Sequence, residues 1–203
     1  MQRTKLIFVR HGQTEWNVQE KWQGHQDSPL TEMGCQQAMA VGKRLQNKTF
    51  THLYSSDLGR AYQTATAIAE VTGHTIVTES FLREKNLGIF EGLTSETLVE
   101  RYPEEYEQFR TLDPDYALPQ GESIRQFYDR SVKGFEALAT RHPQQTIVVV
   151  THGGILGNLF RYIFDLPFAI PRRVVIENTS LNTVSYHEGQ WKLHTWGDIA
   201  HLE

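Results

Sequence analysis

The stretch Leu6-Ile-Phe-Val-Arg10-His11-Gly12 decides the fold. Four apolar residues run without interruption into a cation, an imidazole and a glycine. Such a run predicts a buried strand, here about Lys5 to Arg10. A strand apolar on both faces belongs in a parallel or mixed sheet covered on both sides. In sheets of that kind ligands gather outside the carboxyl ends of the strands. His11 therefore falls where chemistry is done, with the fixed charge of Arg10 beside it.

The same pattern returns late in the chain. Thr146 to Val150 reads as the most buried strand, and it ends in Thr151-His152-Gly153-Gly154. One histidine at a strand end is more often a satisfied structural group. Two such ends, on parallel strands, bring two imidazoles to one sheet edge. Between them the pattern alternates. Thr31 caps a helix to about Asn47, with Ala38, Val41, Gly42 and Leu45 on one stripe. A strand follows at His52 to Ser55, then a helix capped by Asp57 with Ala61, Ala65, Ile68 and Ala69 inward. A third strand is expected at Thr75 to Thr78. Strands alternating with helices define an α/β sheet. Ser123 and Gln126 fit a capping box that opens the longest helix, to about Arg141. Its expected core face is Ile124, Phe127, Tyr128, Val132, Phe135 and Leu138. A helix from Ile155 to Phe164 follows the second His-Gly end. Leu181 to Trp196 reads as a hairpin turning at Glu188-Gly189.

The 203 residues, 39% hydrophobic and 22% charged, suit one folded domain over 1–203, with a flap insert near 94–120. The net charge of −4 excludes a general electrostatic attraction to nucleic acid. No apolar run is long enough to span a bilayer. The single cysteine, Cys35, allows no intramolecular disulfide and reads as an inert packing residue inside a helix. A reducing, cytoplasmic setting is expected. The nine histidines are scattered without zinc-like spacing.

Arg60 sits in the first turn of the second helix, at the same sheet edge as Arg10. Helix N-termini favour anions, and an arginine adds a fork of donors for phosphate oxygens. Two arginines, two histidines and a helix N-terminus describe a phosphate pocket. They also suggest a reaction, because a neutral imidazole is a competent nucleophile toward phosphorus. The leaving oxygen then needs a proton. Glu84, after Arg83 at a strand-to-loop boundary, is the best-placed donor, in competition with Glu15, Glu79 and Glu91. The polar stretch from Gln13 to Pro29, which holds Trp16, Trp22 and His25, reads as a functional loop.

These residues resemble the histidine phosphatase superfamily, the phosphoglycerate-mutase-like family. Arg10-His11-Gly12-Gln13-Thr14-Glu15-Trp16-Asn17 is similar to its opening motif. Gln23-Gly24, Ser55-Ser56-Asp57-Leu58-Gly59-Arg60, Leu82-Arg83-Glu84, Glu91-Gly92 and Thr151-His152-Gly153 follow in the family's order. The resemblance implies a three-layer α/β/α sandwich with a mostly parallel sheet and a helical flap over the site. It implies His11 as the phosphorylated nucleophile, Arg10, Arg60 and His152 as phosphoryl ligands, and Glu84 as general acid and base. Asn17, Gln23, Gly24 and Gly153 carry over as substrate contacts. Neither metal nor cofactor is implied.

Within the family, cofactor-dependent phosphoglycerate mutases carry a longer insert after the acid. Here Glu84 is followed by Lys85-Asn-Leu-Gly-Ile-Phe-Glu-Gly92 without it. A mutase must hold its phosphorylated intermediate away from water, whereas a phosphatase admits water, so the compact loop favours a phosphatase. The pattern looks most like the broad-specificity bacterial phosphatases, acting on small phosphomonoesters. Alpha-ribazole phosphatase, phosphoserine phosphatase and the mutase remain as alternatives, and a homodimer is left open. The flap aromatics Tyr102, Tyr106, Phe109 and Tyr116 are expected to pack the flap onto the body rather than face the pocket.

Overall fold

The two His-Gly strands are neighbours. In a computed structural model that describes residues 3–171 and 173–203, β1 (Thr4–Arg10) pairs in parallel with the strand Thr146–Thr151, in register from Lys5 with Thr146 to Arg10 with Thr151. Counting along the chain, that partner is β4, after β2 (His52–Ser55) and β3 (Ile76–Thr78). β5 (Leu181–His187) and β6 (Gln190–Asp198) form the terminal hairpin. The sheet order is β3-β2-β4-β1-β5-β6. The three pairings from β3 to β1 are parallel, and β5 joins β1 and β6 antiparallel.

The continuous apolar runs explain why β1 and β4 lie at the centre. Alternate residues point to opposite faces, and here both faces are covered. Ile7, Val9, Val148 and Val150 pack under α2 (Glu32–Gln46) and α3 (Gly59–Thr72), against Val41, Leu45, Ala61 and Ile68. Leu6, Phe8, Ile147 and Val149 pack under α6 (Ile124–Arg141) and α7 (Gly153–Ile163), against Phe135, Leu138, Ile155 and Leu159. The result is the three-layer α/β/α arrangement with a mostly parallel sheet. Among the described residues no helix is long and apolar enough to cross a membrane.

Two pieces lie above the carboxyl edge of the sheet. The polar stretch after His11 holds a one-turn helix, α1 (Glu15–Val18), closed by a capping box between Thr14 and Asn17. The segment after Glu84 holds α4 (Ser95–Arg101) and α5 (Pro103–Arg110). These build a small core of their own on Leu87, Phe90, Leu98 and Leu118, against which Tyr102, Tyr106 and Tyr116 pack. The packing expectation therefore holds for the three tyrosines.

Several local expectations differ from the structure. Asp57 does not cap α3; the helix starts at Gly59 after Leu58, which offers no side-chain cap. Asp57 instead takes both arms of Arg83, at 2.7 and 2.5 Å. The α3 amide at Arg60 is served by Asp27, brought in from the polar loop. Cys35 lies inside α2 but on its exposed side, so it is not a packing residue. On α6 the buried stripe runs through Phe127, Ser131, Gly134, Phe135, Leu138 and Ala139. Ile124, Tyr128 and Val132 are only half-buried. The stripe turns because Gly134 admits the ring of Phe81, which would lie 2.0 Å from any Cβ placed there.

Candidate active site

His11 and His152 follow directly on the paired ends of β1 and β4, and the His11 amide donates to Thr151 O at 2.9 Å. Their rings lie 5.3 Å apart, tilted by 57°, and both are buried. His11 Nδ1 is 2.8 Å from the carbonyl oxygen of Gly12. A carbonyl only accepts, so Nδ1 carries the proton and Nε2 keeps a free lone pair. Burial pushes the His11 pKa well below 6.5, and the charges of Arg60 and Arg10 push it further in the same direction. The imidazole is therefore neutral at physiological pH. Burial also holds His152 well below 6.5, with Arg60 and His11 adding to the effect. Its Nε2 meets Ser56 Oγ at 2.8 Å. Its Nδ1 is buried without a hydrogen-bond partner among the described residues.

A cavity of about 380 Å³ opens beside these rings, with Arg10, His11, Arg60, Glu84 and Gly153 in its wall. Asn17, Gln23 and Gly24 line it from the polar loop. The expected site residues thus meet around one space, with His152 buried directly behind His11. Arg10 Nη1 donates to Ile176 O at 2.6 Å. Arg60, only 1% exposed, has a larger structural duty than its sequence context suggests. Its Nη1 donates to Gln26 O and Asp27 Oδ1 and its Nη2 to Gly24 O, so the guanidinium holds the polar loop against α3. Its Nε is buried without a partner among the described residues.

Of the four competing carboxylates, Glu84 alone lines the cavity. Glu15 is exposed on α1, and Glu79 pairs with Arg141 at 2.7 Å. Glu91 is a staple, accepting the amides of His25, Gln26 and Leu87 at 2.8 to 2.9 Å. Gly24, at φ +54°, has to be a glycine under that staple, since a Cβ would fall 2.1 Å from Glu91 Oε1. The Glu84 carboxylate accepts from Gly154 N and Lys85 N, each at 2.8 Å. Gly154 is the second residue of α7, so the carboxylate rests on a helix N-terminus. Trp22, Phe109 and Phe127 supply apolar wall, and Lys21 and Lys85 add positive charge at the cavity. Phe109 is therefore the one flap aromatic of the four that reaches the pocket. Among the described residues no cluster of three or more His, Cys, Asp or Glu could hold a metal ion.

Several residues at the site lay outside the sequence reading. Ser56 stands inside a quoted motif, so its neighbour relation to His152 had a signal. Glu122 stands in the stretch Pro119-Gln-Gly-Glu-Ser123, which also resembles the family, whereas Asp27 and Arg130 act on segments tens of residues away and left no signal.

His11, Arg10, Arg60 and Glu84 thus share one cavity, with the ring of His152 packed beside His11. The chain belongs to the histidine phosphatase superfamily (branch 1), whose family model matches residues 6–199. "Phosphoglycerate mutase-like protein 4" of Arabidopsis thaliana is 37% identical over 98% of this chain and 87% of its own. The solved structure of YhfR from Bacillus stearothermophilus superposes with a TM-score of 0.90 at 33% identity, covering 98% of this chain and all of that one. A mycobacterial glucosyl-3-phosphoglycerate phosphatase, Rv2419c, solved with VO3, gives a TM-score of 0.83 at 33% identity, covering 95% and 98%.

Proposed function

We propose that the protein is a metal-independent phosphomonoester hydrolase working through a phosphohistidine on His11. One observation carries the reading: His11 is neutral, with Nε2 unprotonated, beside a cavity that also holds Arg10, Arg60 and Glu84. In the first step the Nε2 lone pair attacks phosphorus and an N–P bond forms. The ester P–O bond breaks, and the leaving oxygen takes a proton from Glu84. In the second step water attacks phosphorus while the Glu84 carboxylate takes its proton. The N–P bond breaks, inorganic phosphate leaves, and both groups return to their starting states.

Arg10, Arg60 and His152 spread the charge of the transferring group. The buried, unpartnered Arg60 Nε and His152 Nδ1 suit phosphoryl oxygens as partners. Each Glu84 oxygen that accepts an amide retains a second lone pair that is open to a proton. Asn17, Gln23, Gly24 and Gly153 are proposed as substrate contacts. Residues 94–120 act as a flap, with Phe109 as its inward face. The mixed wall of Trp22, Phe127, Lys21 and Lys85 supports small phosphomonoesters of broad range rather than one specific ester. A cytoplasmic setting belongs to the same proposal, supported by a single, exposed cysteine.

The test is turnover of p-nitrophenyl phosphate with acid quench. Wild type should release p-nitrophenol and accumulate acid-labile, base-stable phosphate on His11, and His11→Ala should do neither. Full turnover by His11→Ala would overturn the proposal. The relative with a mutase-like name motivates a second arm, interconversion of 3- and 2-phosphoglycerate with bisphosphoglycerate present. Isomerisation well above hydrolysis would replace the phosphatase reading with a mutase.

A further inference from the structure

The loop that carries Glu84 has no ladder of its own to hold it. His25 Nε2 meets Glu84 O at 3.0 Å and Thr151 Oγ1 donates to Leu82 O at 2.8 Å, and one side chain from α6 adds three bonds more. Arg130 Nη1 donates to Phe81 O and to Arg83 O, each at 2.9 Å. Its Nη2 donates to Glu84 O at 2.7 Å. The remaining two N–H groups go to Glu122, Nε to Oε2 at 3.0 Å and Nη2 to Oε1 at 2.6 Å. All five donors of a planar, always charged group are thereby used, and three of them converge on four consecutive residues ending at Glu84.

Glu122 binds the far side of the same loop. Its Oε1 accepts Asn86 N at 2.7 Å, and its own amide donates to Asn86 O at 3.0 Å. The guanidinium lies over the Phe127 ring at 4.8 Å, and Phe127 lines the cavity. The charged pair is thus packed against a wall residue of the site, without lining the cavity itself. A strut meant only to anchor the loop would need one of these bonds. Three, fanned over the carbonyls of Phe81, Arg83 and Glu84, set where the Glu84 Cα sits and which way its carboxyl leaves the backbone.

We infer that Arg130, oriented by Glu122, is a positioning residue for Glu84, fixing the carboxyl at the height of the leaving oxygen. The inference rests on Glu84 being the proton donor proposed above. Arg130 does not line the cavity, so its largest effect falls where protonation of the leaving group matters. General acid catalysis matters most for a basic leaving group, such as a simple alcohol, and least for p-nitrophenol.

The experiment measures kcat/KM for an alkyl phosphate and for p-nitrophenyl phosphate. That quantity covers the steps through departure of the leaving group, so hydrolysis of the phosphohistidine does not enter. Arg130→Met should lower the alkyl value by about 100-fold or more and the p-nitrophenyl value by about tenfold or less. Glu84→Gln should give the same signature, and Arg130→Lys should lie between. Glu122→Gln, which keeps Arg130 and its three carbonyl bonds, should give a weaker form and serves if Arg130→Met does not fold. Equal losses on both esters in Arg130→Met or, failing that, in Glu122→Gln would mark a merely structural clamp and overturn the inference. Should Glu84→Gln itself lack leaving-group selectivity, the acid role of Glu84 fails, and this inference with it. Selectivity in Glu84→Gln alone leaves the acid role standing and removes Arg130 from it.

Discussion

Gly154 lacks a side chain where Glu84 has its carboxyl. A Cβ there would fall 1.9 Å from Glu84 Oε1 and 3.0 Å from the Phe127 ring. The smallest substitution at this residue therefore displaces the carboxylate from the first turn of α7. Gly154→Ala should keep its fold, because the clash is with movable side chains at the cavity. It should lose about 100-fold in kcat/KM on an alkyl phosphate, the scale of one lost acid catalyst. Thermal melting beside the rate measurement separates the two effects, and an unchanged rate would detach Glu84 from that seat. At this scale the sequence was most legible where chemistry forces residue type. His11, His152 and Arg10 stood out through charge and imidazole at strand ends, whereas Glu84 was one of four competing carboxylates until the fold placed it, alone of the four, at the cavity. Ser56 and Glu91 stood in the same motifs, but their jobs depend on which amide or ring faces them, and no spacing rule carries that.

Among elements, α3 has a start that is not self-contained. Leu58 gives no side-chain cap, and the orphan amide at Arg60 is met by Asp27 at 3.1 and 3.3 Å. Asp27 also pairs with Arg60 Nη1 at 2.9 Å, so one carboxylate serves the helix terminus and the buried guanidinium together. Asp27→Ala should cost about 1–2 kcal/mol, the range of a lost cap, read from urea unfolding. It should also lower phosphatase kcat/KM, because the Arg60 guanidinium loses its charged partner. α6 provides a contrast, since its cap is local. Ser123 Oγ accepts Gln126 N while the Gln126 side chain takes Ser123 N, and Ser123→Ala should cost about 1 kcal/mol with little change in rate. The two helices explain what could be read from sequence. Capping boxes, apolar runs and heptad-like stripes act within a few residues, so α2, α6, β1, β4 and the hairpin were evident. Asp57 has the right type and spacing for a cap, yet Arg83 from the Glu84 loop takes it. That competition is decided by tertiary approach, as is the Gly134–Phe81 contact that turns the core stripe of α6.

For the whole molecule, the buried histidine pair ties stability to pH. Burial and the nearby guanidiniums hold His11 and His152 well below 6.5 in the folded state. Unfolding returns both to the ordinary range near 6.5. Below that pH the unfolded chain binds protons that native His11 and His152 refuse, and His142 and His201, also lowered by burial, add in the same direction, so native stability falls as pH falls. The contribution is fully present above about pH 6.5 and is lost at up to about 1.4 kcal/mol per pH unit for each histidine. The lowered carboxyls of Asp57 and Asp198 act in a different window, since their protonation begins only near their ordinary value of 3.8. Between pH 7 and 5 the histidines therefore dominate. Tm should drop steadily from pH 7.5 to 5.5, and His152→Asn should show a shallower slope whatever its absolute Tm. The same burial that keeps the His11 imidazole neutral makes the fold acid-sensitive. A Tm independent of pH across that range would mean that both imidazoles titrate alike in the folded and unfolded chains, and His11 would then lose the electrostatic basis for its neutral state.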